Sequence, residues 1–196
     1  MAPDVDAAPT ADPEFANQLF DAALLRGSFT LRSGVTSDRY FDKYRMSCDP
    51  GLLAPVAAAL AHLQRRHEPA AVRLVAPALG AVPLVTAMAL AVGLPFAIVR
   101  DAAKSYGTGN RIEGPIRSGE RIVVIEDVVT SGGAVLDTIH AARAAGLVVD
   151  HALCVLDRQA GGGDALAAAG VQLHALLTVA DLDRAFDAGR GQRSAG

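Results

Sequence analysis

The sequence of 196 residues lacks tryptophan and contains two cysteines, Cys48 and Cys154. Two cysteines provide neither a disulfide framework nor a metal-binding motif, so we expect both to be small buried side chains in a reducing cytoplasm. The five histidines show no spacing typical of metal ligands. We therefore expect that the protein binds no metal ion directly.

Long apolar runs are also missing, and so is a charged N-terminal segment followed by an apolar one. These absences argue against a membrane-spanning helix and a secretory signal, and they indicate a soluble cytoplasmic protein. The net charge is only −3, which gives no general attraction to nucleic acid or to an anionic membrane. An anionic ligand must therefore be met by local cations.

Aromatic residues are scarce, at 5%, whereas 51% of the chain is hydrophobic. Short runs of β-branched residues alternate with helical patterns, which predicts an α/β fold with a parallel central sheet flanked by helices. The length suits one domain, which we expect over residues 14–187. The ends, 1–13 and 188–196, have compositions without periodicity, and we expect a disordered leader and a disordered tail.

The most informative stretch covers residues 121–145. Its apolar run, 122–125, predicts a buried strand that ends in Glu126 and Asp127. A glycine-rich turn then leads into a helix. Because the free N–H groups at the start of a helix attract anions, the turn predicts a phosphate site formed by Thr130, Ser131, Gly132, Gly133 and Ala134.

The two carboxylates make this prediction more specific. Glu126 and Asp127 stand one turn from the phosphate site, where they can accept hydrogen bonds from sugar hydroxyls. A glycine-rich turn alone is a weak signal, and acids near strand ends are often only solvated. The complete string predicts a phosphorylated ribose as ligand, and it resembles the ribose-phosphate-binding motif of the type I phosphoribosyltransferases.

In a second segment, residues 28–44, apolar and polar residues alternate in two short stretches on either side of a Ser-Gly pair. This pattern predicts a hairpin outside the βα repeat. Its FTLRSG and YFD strings resemble the N-terminal hairpin of the orotate phosphoribosyltransferases, which holds the pyrimidine as a hood over the site. The resemblance implies that Arg32 binds the phosphoribosyl diphosphate and that Tyr40 and Phe41 flank orotate.

A third segment, residues 100–120, has four glycines, mixed charge and little apolar content. It is longer than most connections in compact domains, and such loops are either disordered or functional. The pattern R-x-x-x-K-x-Y-G-T-G resembles the mobile catalytic loop of the same family, which closes over the neighbouring site in a dimer. The resemblance implies that Lys104 is catalytic and that Arg100 and Tyr106 contact the diphosphate; Asp101 departs from the family's usual lysine.

Two turns complete the expected site. The turn PALGAVP, after a predicted strand at 72–76, resembles the diphosphate-facing loop, and the resemblance implies that the backbone of Leu79 and Gly80 faces the diphosphate. Some family members carry lysine in place of Gly80. A strand at 148–156 is followed by Arg158, which could pair with a carboxylate in two-pronged fashion. The resemblance implies that Arg158 binds the orotate carboxylate and that Thr130 is a second orotate contact.

Taken together, the resemblance implies a type I phosphoribosyltransferase fold and transfer of 5-phosphoribose from 5-phosphoribosyl 1-diphosphate to orotate. Lys104 and Asp127 are the catalytic residues that it implies, with Mg²⁺ carried mainly by the diphosphate, and a homodimer whose loop 100–114 acts in the neighbouring site. Three alternatives stay open: a transferase for another base, a non-catalytic regulatory module suggested by Asp101 and Gly80, and a generic nucleotide-binding protein.

Overall fold

The computed structural model describes residues 13–30, 34, 36–101 and 111–184 of the chain. The expected tail lies outside these residues, and so does the expected leader except for Pro13, which begins the first helix. Within the described ranges, no helix is both long enough and apolar enough to cross a membrane.

The N-terminal part contains a separate two-stranded sheet, and its helices pack into the main core. Helix α1 (Pro13–Ala23) leads into strand β1 (Leu24–Thr30), which pairs with the antiparallel strand β2 (Thr36–Phe41) in a two-stranded sheet. A short helix, α2 (Lys43–Ser47), follows directly, because the side chain of Asp42 caps it by accepting a hydrogen bond from the Tyr44 N–H at 3.1 Å.

This region differs from the prediction in its boundaries. The helical spacing of the apolar residues from Phe15 to Leu24 predicts a helix that Gly27 stops. Helix α1 instead ends at Ala23, and Leu24 pairs with Phe41 across the hairpin. The hairpin therefore begins and ends earlier than the predicted residues 28–44. Pairing with a strand that lies later in the chain overrides the local helical periodicity of these residues.

The rest of the chain builds a central six-stranded sheet in the order β5-β4-β3-β6-β7-β8. Strands β3, β4, β6, β7 and β8 run parallel, whereas β5 pairs antiparallel with β4 at the edge. The elements are α3 (Pro50–His67), β3 (Arg73–Pro77), α4 (Val82–Val92), β4 (Phe96–Val99), β5 (Ile112–Glu113), β6 (Arg121–Val129), α5 (Gly133–Ala144), β7 (Val148–Asp157), α6 (Gly162–Ala168) and β8 (Gln172–Thr178).

The predicted α/β fold with a parallel sheet is confirmed. The sequence did not predict β5, which lies in the segment interpreted as one loop, because a pair of residues is too short to show a period. Its pairing is tertiary: beyond the strand, the Arg100 N–H donates a hydrogen bond to the Arg111 carbonyl at 2.9 Å. Beyond β8, residues 179–184 are helical.

Strand β6 is the centre of the core. Its residues 122–127 are all buried, and successive side chains point to opposite faces of the sheet. Val123 and Ile125 pack in the cluster on the side of α3 and α4, whereas Ile122 and Val124 pack in the cluster on the side of α5. Burying an aliphatic side chain contributes about 1.5–3 kcal/mol, so β6 is anchored from both faces.

The two cysteines are both free thiols, and their environments differ. Cys154 is buried in β7, as predicted, and burial raises the pKa of its thiol well above the ordinary value. The prediction is wrong for Cys48, which is exposed just after the end of α2. A helix of one turn and a half gives too little periodicity to indicate which of its flanking residues are buried.

The start of α6 packs against the turn that follows β6. The Gly162 N–H donates a hydrogen bond to the Thr130 carbonyl at 3.0 Å. A Cβ atom at Gly162 would lie 2.5 Å from Val129 Cγ1 and 2.7 Å from the Thr130 carbonyl oxygen, whereas a Cβ atom at Gly163 would meet nothing within 4 Å. Gly162 therefore lets two backbones approach closely.

We predict that Gly162→Ala lowers the free energy of unfolding by about 1–3 kcal/mol, because the added methyl group overpacks this contact. The matched control is Gly163→Ala, which should stabilise α6 by about 0.4–1 kcal/mol because alanine restricts the unfolded chain. Urea unfolding of both variants measures the two changes. Equal free energies of unfolding for the two variants would contradict the close approach.

Candidate active site

A cleft of about 830 Å³ opens at the carboxyl ends of β3, β6 and β7. Ligands of open α/β sheets bind at this edge, beyond the ends of the strands. Helix α2 and the turns after three parallel strands contribute to its walls. The lining residues are Lys43, Tyr44, 77–80, 126–135, Arg158, Ala160 and Val179.

The predicted phosphate turn, residues 130–134, lies in this cleft and leads into α5. Gly132 adopts a left-handed conformation, with φ 80°, and it is the N-cap of the helix. No side chain caps the helix, so the first N–H groups of α5 are free of helical acceptors. Gly133 and Ala134 are exposed, and their N–H groups can bind an anion.

The two predicted carboxylates are deeply buried at the end of β6. Glu126 is 6% exposed and Asp127 is 2% exposed. The Asp127 N–H donates to Glu126 Oε1 at 2.9 Å, and the Val128 N–H donates to Asp127 Oδ1 at 2.6 Å. Asp127 Oδ2 is buried and accepts no well-aligned hydrogen bond from the described residues.

Lys43 is the cation beside these carboxylates. Its Nζ lies 2.8 Å from Asp127 Oδ2. Burial raises the pKa of Glu126 to about 8, and the negative charge of Asp127 adds to that rise. Burial lowers the pKa of Lys43, but hydrogen bonding and attraction to Asp127 outweigh burial, so the pKa of Lys43 is raised. The site therefore holds a charged lysine next to Asp127.

Lys43 was not predicted as a site residue. One signal was available in the sequence: the chain has two lysines, Lys43 and Lys104, among 18 lysine and arginine residues. The resemblance places Lys104 in the site, and the structure places Lys43 there. Its neighbour Tyr44, also unpredicted, lines the same cleft.

Arg158 reaches the cleft from the end of β7. Its N–H donates to the Val129 carbonyl at 2.9 Å, which fixes the backbone beside the phosphate turn. Asp157 Oδ1 accepts a hydrogen bond from the Gln159 N–H at 2.8 Å, so this carboxylate stabilises the turn after β7. The exposed guanidinium of Arg158 forms no hydrogen bond or ion pair with other described residues and can bind a ligand carboxylate.

A family model described as the phosphoribosyl transferase domain matches residues 50–169. The orotate phosphoribosyltransferase of Halobacterium salinarum is 46% identical over 156 residues, which cover 80% of this chain and 87% of that protein. The orotate phosphoribosyltransferase of a Nocardioides species is 42% identical over 92% of this chain and 99% of its own length. This chain belongs to the phosphoribosyltransferase family, among the orotate phosphoribosyltransferases.

The fold agrees with this family. The crystal structure of Mycobacterium tuberculosis orotate phosphoribosyltransferase in complex with 5-phospho-alpha-D-ribosyl 1-diphosphate matches with a TM-score of 0.74. The two proteins are 28% identical, and the match covers 87% of this chain and 98% of that one. The type I phosphoribosyltransferase fold expected from the sequence is thereby confirmed.

Other predicted residues of this phosphoribosyltransferase are not among the lining residues. Tyr40 is 44% exposed, with its ring centroid 5.6 Å from that of Phe29, and Phe41 packs against the core. Arg100 Nη1 lies 3.5 Å from Glu113 Oε1. Their ligand contacts stay predictions, and so do those of three residues outside the described ranges: Arg32, Lys104 and Tyr106.

Phosphoribosyltransferases generally use Mg²⁺ with 5-phosphoribosyl 1-diphosphate. Within the described residues, no group of three or more histidine, cysteine, aspartate or glutamate side chains could hold a metal ion. Mg²⁺ needs few protein ligands when phosphate oxygens bind it. The cleft offers carboxylate oxygens beside an open phosphate turn, and this set of donors fits a Mg²⁺ ion that phosphate groups bind.

The raised pKa of Glu126 predicts a pH dependence of stability. Between the ordinary pKa of 4.5 and about 8, the native protein binds more protons at Glu126 than the unfolded chain does, so its stability falls as pH rises. Relative to Glu126→Gln, the wild type should lose up to about 1.4 kcal/mol per pH unit in that window. Urea unfolding at pH 5 to 9 measures this difference.

Glu120→Gln is the matched control. A hydrogen bond from Arg73 holds the pKa of Glu120 below its ordinary value of 4.5, so about 1.5 pH units above that value Glu120 is ionised in both states. The difference between wild type and this variant should therefore stay constant over the upper part of the window, where the Glu126→Gln difference still changes. A constant difference for Glu126→Gln as well would show that Glu126 titrates normally.

Proposed function

We propose that the protein is an orotate phosphoribosyltransferase that converts orotate and 5-phosphoribosyl 1-diphosphate into orotidine 5'-monophosphate and diphosphate. One observation carries this proposal: the buried acids of β6, the open phosphate turn and Arg158 of β7 line the same cleft. The acids and the turn suit a ribose phosphate, and the arginine suits a base that carries a carboxylate.

The phosphoribosyl group and its diphosphate contact three parts of the cleft. Its 5'-phosphate binds the turn 130–134 at the start of α5, where free N–H groups meet the oxygens. The ribose hydroxyls donate hydrogen bonds to Glu126 and Asp127, because both side chains line the cleft. The diphosphate then extends toward the turn of Leu79 and Gly80, which lines the same cleft.

Orotate binds between this sugar and Arg158. A planar guanidinium can donate two parallel hydrogen bonds to a carboxylate, which gives direction as well as attraction. Thr130 is exposed in the cleft and can supply a hydroxyl contact. Tyr40 and Phe41 of the hairpin flank the base, as the family resemblance implies.

The reaction breaks the bond between ribose C1 and the diphosphate oxygen and forms a bond between C1 and N1 of orotate, and N1 loses its proton to the leaving diphosphate or the solvent. Positive charge builds on the ribose ring while negative charge builds on the leaving diphosphate. Glu126 and Asp127 hold the ring through its hydroxyls, and the charge of Asp127 offsets the positive charge of the ring. Catalysis therefore rests on positioning and on charge stabilisation rather than on a covalent intermediate with the protein.

The leaving diphosphate needs positive charge. Mg²⁺ supplies charge neutralisation when it is bound to the diphosphate. Lys104, Arg100 and Tyr106 of the loop supply further contacts when the loop closes and excludes water. Asp101 brings a negative charge into the same loop and opposes this attraction. Arg32 of the hairpin adds a cation on the other side.

The protein acts as a homodimer in the cytoplasm. Helix α4 has no charged residue and exposes Leu90 at 84%, which suits contact with a second subunit. Loop 100–114 of each subunit serves the site of its neighbour. The two free thiols, Cys48 and Cys154, suit a reducing compartment.

The deciding experiment measures diphosphate release with orotate, 5-phosphoribosyl 1-diphosphate and Mg²⁺. We expect turnover with orotate and none with adenine or hypoxanthine, because Arg158 needs a carboxylate. Lys104→Ala should keep the melting temperature and lower kcat by roughly 100- to 1,000-fold, since it removes one stabilising charge in the transition state. Asp101→Lys should raise kcat.

Each outcome separates the alternatives. Turnover of a purine instead of orotate would identify a transferase for another base. Binding of 5-phosphoribosyl 1-diphosphate without turnover of any base would identify a regulatory module. Full activity of Lys104→Ala would contradict the role of the loop while leaving the assignment of the substrate intact.

Mixing two inactive variants tests whether the loop acts in the neighbouring site. Lys104→Ala and Asp127→Asn are each expected to be inactive alone. In a mixed dimer, the site that retains Asp127 receives an intact Lys104 from the partner, so refolded mixtures should recover about a quarter of wild-type activity. No recovery, with mixed dimers verified by native mass spectrometry, would show that the loop serves its own subunit.

A further inference from the structure

The turn after β3 leaves a space that a side chain from another element occupies. Gly80 is buried in this turn. A Cβ atom at Gly80 would lie 2.0 Å from Asp127 Oδ2, 2.6 Å from Lys43 Nζ and 3.1 Å from Lys43 Cε. Any larger residue at position 80 would therefore displace the ion pair between Lys43 and Asp127.

Lys43 is held in this space by the architecture around α2. Asp42 caps the start of the helix, and Met46 and Ser47 are buried at its end. The Lys43 side chain is 35% exposed, and it lines the cleft. It is therefore fixed at its base, with an ammonium group that a ligand in the cleft can reach.

The position of this ammonium lies between two parts of the proposed substrate. Asp127 faces the ribose hydroxyls, and the turn of Leu79 and Gly80 faces the diphosphate. Lys43 Nζ is close to both, because it is 2.8 Å from Asp127 Oδ2 and 2.6 Å from the Cβ position of Gly80. A negative group that enters here meets a charge within direct contact distance.

We propose that Lys43 binds the diphosphate of 5-phosphoribosyl 1-diphosphate, and that Gly80 is glycine because the Lys43 ammonium fills the space of its missing side chain. In the free protein the ammonium neutralises Asp127. In the complex it contacts the diphosphate while it stays beside Asp127, so one cation serves the sugar-binding and the diphosphate-binding parts of the site. This inference rests on the proposed function.

The test compares Lys43→Met, Lys43→Arg and wild type. Calorimetry measures binding of 5-phosphoribosyl 1-diphosphate with Mg²⁺, and steady-state kinetics give separate KM values for the two substrates. Lys43→Met should weaken binding and raise the KM for 5-phosphoribosyl 1-diphosphate by about 10- to 100-fold, as loss of a charge-assisted contact does. The KM for orotate should change by less than about threefold, because orotate lies at Arg158.

Arg45→Met is the matched control. Arg45 belongs to the same helix and carries the same charge, but its side chain is 57% exposed and lies 3.9 Å from Asp42. This variant should bind 5-phosphoribosyl 1-diphosphate within about twofold of wild type, since exposed charges contribute little. Lys43→Arg keeps the charge and should retain more affinity than Lys43→Met.

Amine labelling of the wild type provides a readout that needs no variant. Lys43 and Lys104 are the two lysines of the chain, so mass spectrometry can follow them separately. Inorganic diphosphate with Mg²⁺ should lower the rate of acylation at Lys43. If Lys43→Met fails to fold, this protection decides the question, and an unchanged rate at Lys43 would overturn the proposal.

The outcomes distinguish this inference from the proposed function. Equal affinity of wild type and a folded Lys43→Met variant would overturn the role of Lys43 while orotate turnover stands. An equal rise of both KM values would also overturn it, because that pattern indicates general damage to the cleft. Affinity that depends on Lys43 without orotate turnover would support the binding role and reject the proposed reaction.

Discussion

Two adjacent carboxyl groups are buried at the end of the central strand β6. The residues around the cleft compensate for the unfavourable free energy of burying them. A buried charge is expensive unless it is paired or hydrogen-bonded. Here the backbone N–H groups of Asp127 and Val128 each bond to one carboxylate, and Lys43 meets Asp127 at 2.8 Å. Glu126 responds with a raised pKa. This arrangement holds both carboxyl groups in place at the lining of the cleft.

Glycine residues at two positions leave space for groups that form the site. Gly80 leaves space for the ion pair, and Gly162 leaves space for the phosphate turn. A methyl group at Gly80 would meet the side chains of Asp127 and Lys43, and one at Gly162 would meet the side chain of Val129 and the backbone of the phosphate turn. The phosphate turn is thus supported by α6, and the acids are supported by α2. In the proposed function this cleft binds the sugar phosphate, and the hairpin and the long loop contact the base and the leaving group.

Several features of the fold could not be predicted from the sequence, and each has a physical reason. Helix α1 ends before its helical pattern does, because Leu24 pairs with Phe41 in the hairpin. Strand β5 is too short to show a period and exists through its pairing with β4. Cys48 is exposed although cysteine is usually buried. In each case a tertiary contact, or its absence, decided what local preference could not.

The sequence by itself determined the strand, the acids, the phosphate turn and the start of α5, because these are contiguous and their spacing alone places them at one edge of a parallel sheet. It also indicated Arg158, since the end of a neighbouring parallel strand meets the same edge. Only the tertiary structure decided that Lys43 stands beside Asp127. The two residues belong to elements far apart in the chain, and the packing of α2 against α1 and α3 brings them together. No periodicity or motif encodes that distance, because it depends on how separate elements pack and on the space that Gly80 leaves.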